Sequence, residues 1–299
     1  MEFKEININD KNLIAGYLRK YNPKASEMNF TNLFIWRLYY GFRFTEIDGL
    51  LCIVSMAGNK APYALMPVGD INEDNFSAAV YALKEYFNKK LDKPLVFRMV
   101  EEDSLKFFTQ IPDFEGEIVY DRDSSDYLYL ASDLISLKGK KLHAKRNHIN
   151  RFKREHEYEY VKLDSTLLDE CARIMDEWCE RRICDCGRGV YCEKIANKEL
   201  LNNFEKLDCR GALIKVDGRF EAYTVGEELN GNTAVIHIEK ANSEIQGLYT
   251  FINQQFCERE WGHMEYINRE EDLGVDNLRK AKLSYNPLSL VNKYSIFMS

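Results

Sequence analysis

The sequence predicts an α/β chain of the α+β kind, built as two related halves, 1–135 and 136–299. Three observations predict it. FRFTEIDGLLCIVS (42–55) and ALIKVDGRFEAYTV (212–225) both read as strand, Asp-Gly turn, strand, a strong hairpin signal. The turns Asp48-Gly49 and Asp217-Gly218 are separated by the same interval as the triplets Glu101-Glu102-Asp103 and Glu270-Glu271-Asp272, each of which follows an apolar strand-like run. Between these landmarks both copies run hairpin, third strand, helix, strand, the order of a mixed, largely antiparallel sheet continued by a crossover.

In the first half the later elements are Tyr63–Pro67, Phe76–Leu91 and Leu95–Val100; in the second they are Thr233–Glu239, Leu248–Glu260 and Met264–Asn268. The halves join near Ser132–Lys140. Lys138 to Arg154, KGKKLHAKRNHINRFKR, then reads as a helix with a narrow apolar stripe of Leu142, Ile149 and Phe152. EYEYVKL (157–163) alternates like a strand, and Val275 to Leu283 reads as a short helix.

With 299 residues and 45% hydrophobic content the chain is long enough to bury a substantial core and too apolar for disorder. The charged N-terminus excludes a secretory signal and no apolar run approaches a membrane span, so a cytoplasmic protein without a transmembrane segment is expected. Cysteines are then expected reduced. Cys179, Cys184, Cys186 and Cys192 crowd around CDCGRG; free thiols on a loop are the reading, a zinc knot the alternative, and no metal is expected at the site.

The net charge is −6 before the basic segment, +8 within it and −9 after it, making the −7 of the whole. A focused cation on an acidic body points to a particular phosphate-bearing partner, such as tRNA, an acyl-CoA or an anionic lipid, rather than to general nucleic-acid affinity. Solvated helix faces ordinarily mix charge signs, and this segment has no acid.

In TAVIHIEK (233–240) strand alternation sends His237 and Glu239 to one face together, a pairing suited to proton transfer. Gly247 opens the following helix, where backbone N–H groups can meet an anion. In NREEDLGVDNLRKAKLSYNP (268–287), Arg279 and Lys282 share a helix face, and Asn268 and Asp272 join them where the crossover strand ends, a common ligand position in open α/β sheets. The bland alternatives are a wet edge strand and a surface helix with ordinary ion pairs.

GKKLHAKRNHINRF, HIEKANSEIQGLYTFIN and NREEDLGVDNLRKAKLSYNPLSLVNKY resemble the DUF2156 family, similar to the C-terminal domain of bacterial phosphatidylglycerol lysyltransferases. The resemblance implies two tandem GNAT-like domains, each a mixed, largely antiparallel sheet flanked by helices; the active site is expected in 136–299 because that half holds the His237/Glu239 strand and the basic face. It implies transfer of an aminoacyl group from aminoacyl-tRNA to an amine or hydroxyl of a lipid or peptide; for this chain a small-molecule or peptide acceptor is expected. Matched positions are Lys145, Arg146, Asn147 and Asn150 in the basic helix; His237, Glu239 and Lys240 in the strand; and Asn268, Asp272, Gly274, Arg279, Lys282 and Tyr285 in the last motif. Two departures stand out. Glu244-Ile245-Gln246-Gly247-Leu248-Tyr249 lacks the first basic or amide residue of the acetyl-CoA motif and sets a ring where backbone must approach pyrophosphate. The membrane region of full lysyltransferases is also missing, which argues against a bilayer lipid acceptor.

The leading expectation is therefore an acyltransferase with aminoacyl-tRNA as donor and acyl-CoA less favoured. His237, Glu239 and Asp272 are the catalytic candidates, with His237 or Glu239 as base or orienting group. Arg279 and Lys282 would clamp phosphate or stabilise developing negative charge, and Lys145, Arg146 and Arg151 would hold the nucleic-acid backbone. An acyl-CoA-dependent N-acyltransferase and a catalytically silent RNA-binding module are the competing readings.

Overall fold

The computed structural model of the chain describes residues 1–58, 60–181 and 193–298. The chain divides into two compact units, Met1–Asp126 with Val291–Ser299, and Tyr127–Leu290. The division falls between Asp126 and Tyr127, ahead of the expected line at 135/136, and the C-terminal residues return to the first unit. Cys184, Cys186 and Cys192 lie outside the described residues. Cys179 is a buried, reduced thiol on helix Leu168–Arg181.

In the first unit the hairpin Phe42–Ile47 and Leu50–Ser55 turns at Asp48 and Gly49, both with positive φ (47° and 78°), the backbone a two-residue hairpin turn requires. Tyr63–Ala64 adds antiparallel to this hairpin, and Val96–Glu101 adds parallel to Tyr63–Ala64 after helix Glu73–Tyr86. The strand Ser289–Met298 pairs with Val96–Glu101. Lys293 is fully buried, with Nζ 2.6 Å from Asp126 and bonded to both oxygens of Glu27. Such a cation is tolerable in a core only because its charge is matched.

The second unit repeats the order. Arg210–Val216 and Arg219–Asn230 turn at Asp217 and Gly218 (φ 49° and 90°), Thr233–Ala241 adds antiparallel, and Tyr266–Asn268 adds parallel after helix Leu248–Glu260. Tyr158–Lys162 lies outside Arg210–Val216, and residues 128–130 pair with Tyr266–Asn268. The unit is a mixed sheet flanked by helices.

Helix Leu248–Glu260 is buried almost all round because it has apolar neighbours on two sides. Phe251, Ile252 and Phe256 join a core with Ala222, Ala234 and Ile236 of the sheet and with Leu134, Leu142, Ile149 and Phe152. The last three are the stripe read from the sequence. The basic helix begins at His143, since Leu137 and Gly139 have positive φ (47° and 87°), and runs to Glu155. It docks by setting the Phe152 ring 4.7 Å from Phe251, a burial that stabilises by about 1.5–3 kcal/mol.

One irregularity governs what the sheet presents. Val225 pairs with Ile238 and Gly226 with Ile236, which leaves His237 as an extra, bulged residue. Alternation therefore reverses there. Ala234, Ile236 and Ala241 face helix Leu248–Glu260, as does Glu239, whose carboxylate accepts from Asn253 of that helix at 2.9 Å. Lys240 points the other way, to Glu193 at 2.7 Å and the Trp178 ring at 3.8 Å.

Gly226 lies beside this bulge with no room for a side chain: a Cβ would sit 2.4 Å from the Val235 carbonyl oxygen. Gly226→Ala should cost about 1–3 kcal/mol in denaturant unfolding, whereas Gly231→Ala, in open space, should change stability by less than about 0.5 kcal/mol.

Candidate active site

Three groups of polar side chains form around the bulge and the loop after Tyr266–Asn268. That loop is built for rigidity. Asn268 is fully buried and its Oδ1 accepts from the Glu270 N–H at 2.7 Å. Asp272, also fully buried, accepts from Gly274 N–H at 2.9 Å, from the Tyr127 hydroxyl at 2.5 Å and from Arg279 through Nε (2.9 Å) and Nη2 (2.8 Å). Lys282 Nζ donates to the carbonyls of Arg269 and Glu271. The frame holds Glu270 and Leu273 at positive φ (57° and 51°), a conformation that costs a non-glycine residue on the order of 1 kcal/mol or more. Asp272, expected as catalytic, and Arg279 and Lys282, expected as a phosphate clamp, are thus engaged in shaping this loop.

The loop sends successive side chains to opposite faces. Arg269 goes to the face of helix Leu248–Glu260, where its Nη2 meets Glu239 at 2.9 Å, with both side chains only 12% exposed. Its guanidinium lies 4.7 Å from the Tyr285 ring and 5.8 Å from that of Tyr129. Arg269 Nη1 and Asn253 Oδ1 are buried without a hydrogen-bond partner among the described residues. Lys145 enters from the basic helix, its Nζ 3.8 Å over Tyr285. Burial and the nearby Arg269 charge lower its pKa to about 8, against the pull of Glu239. Burial also raises the Tyr285 phenol. Lys145, Glu239 and Tyr285, far apart in sequence, are thereby brought together.

Glu270 goes to the other face and accepts from His237 Nδ1 at 3.0 Å, while Nε2 meets Glu227 at 2.9 Å. Burial opposes a charge on this imidazole, but the two carboxylates outweigh it and raise the pKa to about 9. With both nitrogens donating, His237 suits the orienting role of the two expected for it. Contrary to simple alternation, it does not share a face with Glu239; the bulge is the reason.

The remaining candidates separate. Arg146 donates to the carbonyls of Leu137 and Gly139 (2.9 Å to the latter), so it fastens the turn ahead of its helix. Arg151 is exposed and paired with Glu155 through Nε at 2.9 Å. Asn147 contacts His143 at 3.1 Å, and Asn150 is exposed. Gly247 has φ 92°, and a Cβ on it would meet the His148 carbonyl oxygen at 2.4 Å, so this glycine admits the basic helix. Arg269, Asn253, Glu227 and Glu270 were not picked out from the sequence. Arg269 and Glu270 stood inside the NREEDLG motif, and only the three-dimensional path of that loop distinguishes their roles.

Residues 18–297 match the family described as phosphatidylglycerol lysyltransferase, C-terminal. The chain belongs to this family. The resemblance to DUF2156 and the lysyltransferase C-terminal domain is thus borne out. The chain is 36% identical to a conserved protein of unknown function from Bacteroides thetaiotaomicron, over 100% of both chains with a TM-score of 0.91. L-PGS from Bacillus licheniformis shares the fold at 17% identity, with a TM-score of 0.65 over 97% of this chain and 92% of that one. An uncharacterized protein, MYCGA3080, of Mycoplasmoides gallisepticum is 25% identical over 191 residues; the match covers 61% of this chain and 59% of that protein. Lysyltransferase family membership relates the chain to acyltransferases. Among the described residues no helix is long and apolar enough to cross a membrane.

Lys145 should titrate within reach of neutral pH. With a folded pKa of about 8, below the ordinary lysine range, its charged form is disfavoured by folding. Stability is therefore lost as pH falls from the unfolded lysine value through about 8. Acylation of Lys145 by a water-soluble amine reagent, followed by peptide mass spectrometry, should rise with a midpoint near pH 8.

Proposed function

We propose that this chain is an aminoacyltransferase that takes an aminoacyl group from aminoacyl-tRNA and passes it to an amine or hydroxyl of a small-molecule or peptide acceptor. Tandem GNAT-like domains, with the transfer site in the second, are part of the same proposal. The observation that carries it is the meeting of Lys145, from the basic helix, with the buried Glu239–Arg269 pair. A helix that carries exposed cations outside and delivers one lysine inside links a phosphate-holding surface to a reaction site.

In this reading Lys153, Arg154, Lys140 and Lys141, all exposed, hold the tRNA backbone, together with Arg151 when phosphate displaces Glu155. The acceptor attacks the ester carbonyl. A C–N or C–O bond forms, the ester C–O bond breaks, and the ribose hydroxyl leaves with a proton. Charge develops on the carbonyl oxygen, where Arg269 Nη1 supplies a preorganised donor. Lys145, partly neutral near its pKa of about 8, takes the acceptor proton and returns it to the leaving hydroxyl. Glu239 fixes the guanidinium, and Tyr285 packs both cations. Acyl-CoA is disfavoured because the space at Gly247, where a pyrophosphate would approach, is filled by the His148 carbonyl.

Two measurements test this. Lys153→Ala with Arg154→Ala should weaken tRNA binding and flatten the log–log salt dependence by about one for each phosphate left without its cation. Lys145→Ala should lower single-turnover transfer by about 10²–10³-fold. An unchanged salt slope in the first variant, with full transfer in the second, would remove the assignment.

A further inference from the structure

On the sheet face turned away from Glu239, three side chains of different chemistry meet. Cys209, immediately before Arg210–Val216, is a half-exposed thiol; Glu227 and the bulged His237 are buried. One ligand atom of each, Sγ, a carboxylate oxygen and an imidazole nitrogen, lies within 4.8 Å of the others. We propose that Cys209, Glu227 and His237 form a binding site for one Zn²⁺ ion, with Glu270 as the carboxylate behind the imidazole.

Three features support the ion. Thiolate, imidazole and carboxylate together are a zinc donor set, and here Glu227 and His237 come from two paired strands and Cys209 from the residue that leads into the next strand, Arg210–Val216, so the sheet sets their spacing. His237 Nε2 and Glu227 Oε1 are 2.9 Å apart; two ligands about 2.0 Å from a tetrahedral ion stand roughly 3.3 Å apart, so a small rotation of the Glu227 side chain admits the metal. Glu270, accepting from Nδ1 at 3.0 Å, leaves Nε2 to face the ion, the arrangement that zinc-bound histidines ordinarily show.

The exchange balances. Without metal the group comprises an imidazolium, two carboxylates and a thiol, a formal charge of minus one. Zn²⁺ replaces the Nε2 proton and the thiol proton, leaving an imidazole, two carboxylates and a thiolate around the dication, and the formal charge is unchanged. Three protein ligands leave a fourth position, on the half-exposed Cys209 side, for water. The site lies behind the bulge that turns Glu239 towards Arg269, so an ion there pins the bulge, and its presence does not depend on the transfer reaction proposed above.

The test uses the full chain stripped with a chelator and titrated with Zn²⁺ against a chromophoric competitor, and separately with Co²⁺. The proposal expects one tightly held ion per chain and a thiolate-to-Co²⁺ charge-transfer absorption. Cys209→Ser, a mild change at a half-exposed position, should abolish that absorption and weaken Zn²⁺ by more than about tenfold, and Glu270→Gln should weaken it by about 10–100-fold. Cys52→Ser, in the first unit, should leave both intact. Absence of stoichiometric binding, or an absorption that survives Cys209→Ser because the ion sits on other cysteines, would overturn the site.

Discussion

The bulge at His237 is the constraint from which the site follows. By inserting one residue opposite Gly226 it reverses the alternation of Thr233–Ala241, so that a single strand serves two polar environments. Glu239 is handed to the face of helix Leu248–Glu260, and His237 to the face of Glu227. The loop after Tyr266–Asn268 answers both, offering Arg269 to the first and Glu270 to the second. Neither buried charge would be tolerable alone, since an unpaired ion in a core costs several kcal/mol. Each is met because two neighbouring backbones split their side chains in the same way.

Rigidity is concentrated where that splitting occurs. Asp272 gathers a backbone amide, a phenol and a two-pronged guanidinium, and Lys282 draws two carbonyls together. These bonds hold a loop with two left-handed non-glycine residues. The arrangement explains how charged residues in one short motif divide between framing and presentation: Asp272, Arg279 and Lys282 frame, and Arg269 and Glu270 present.

Much of the architecture was legible because its signals are local. Asp-Gly between alternating runs admits few backbones other than a tight hairpin, and both occurrences fold so. The stripe of Leu142, Ile149 and Phe152 needed only helical spacing to be read, and it is the buried edge of the basic helix. What local pattern does not reveal is a change of register. His237 and Glu239 look like face-mates to a period of two, and only the pairing with Gly226 separates them; a glycine inside a strand was the available hint. Likewise, charge counting finds a basic helix but cannot distinguish Arg146, spent on the carbonyls of Leu137 and Gly139, from Lys145, which turns inward onto Tyr285.

The central claim is that the Glu239–Arg269 face performs the transfer. Its most direct test is single-turnover reaction of radiolabelled aminoacyl-tRNA with a panel of amine and hydroxyl acceptors, comparing the native chain with Arg269→Lys and Glu239→Gln at equal tRNA occupancy. The account predicts labelled product with the native chain and a loss of about 10²–10³-fold in rate in both variants, with tRNA affinity preserved. Equal rates in all three proteins, or no transfer to any acceptor by a native chain that binds tRNA, would contradict it.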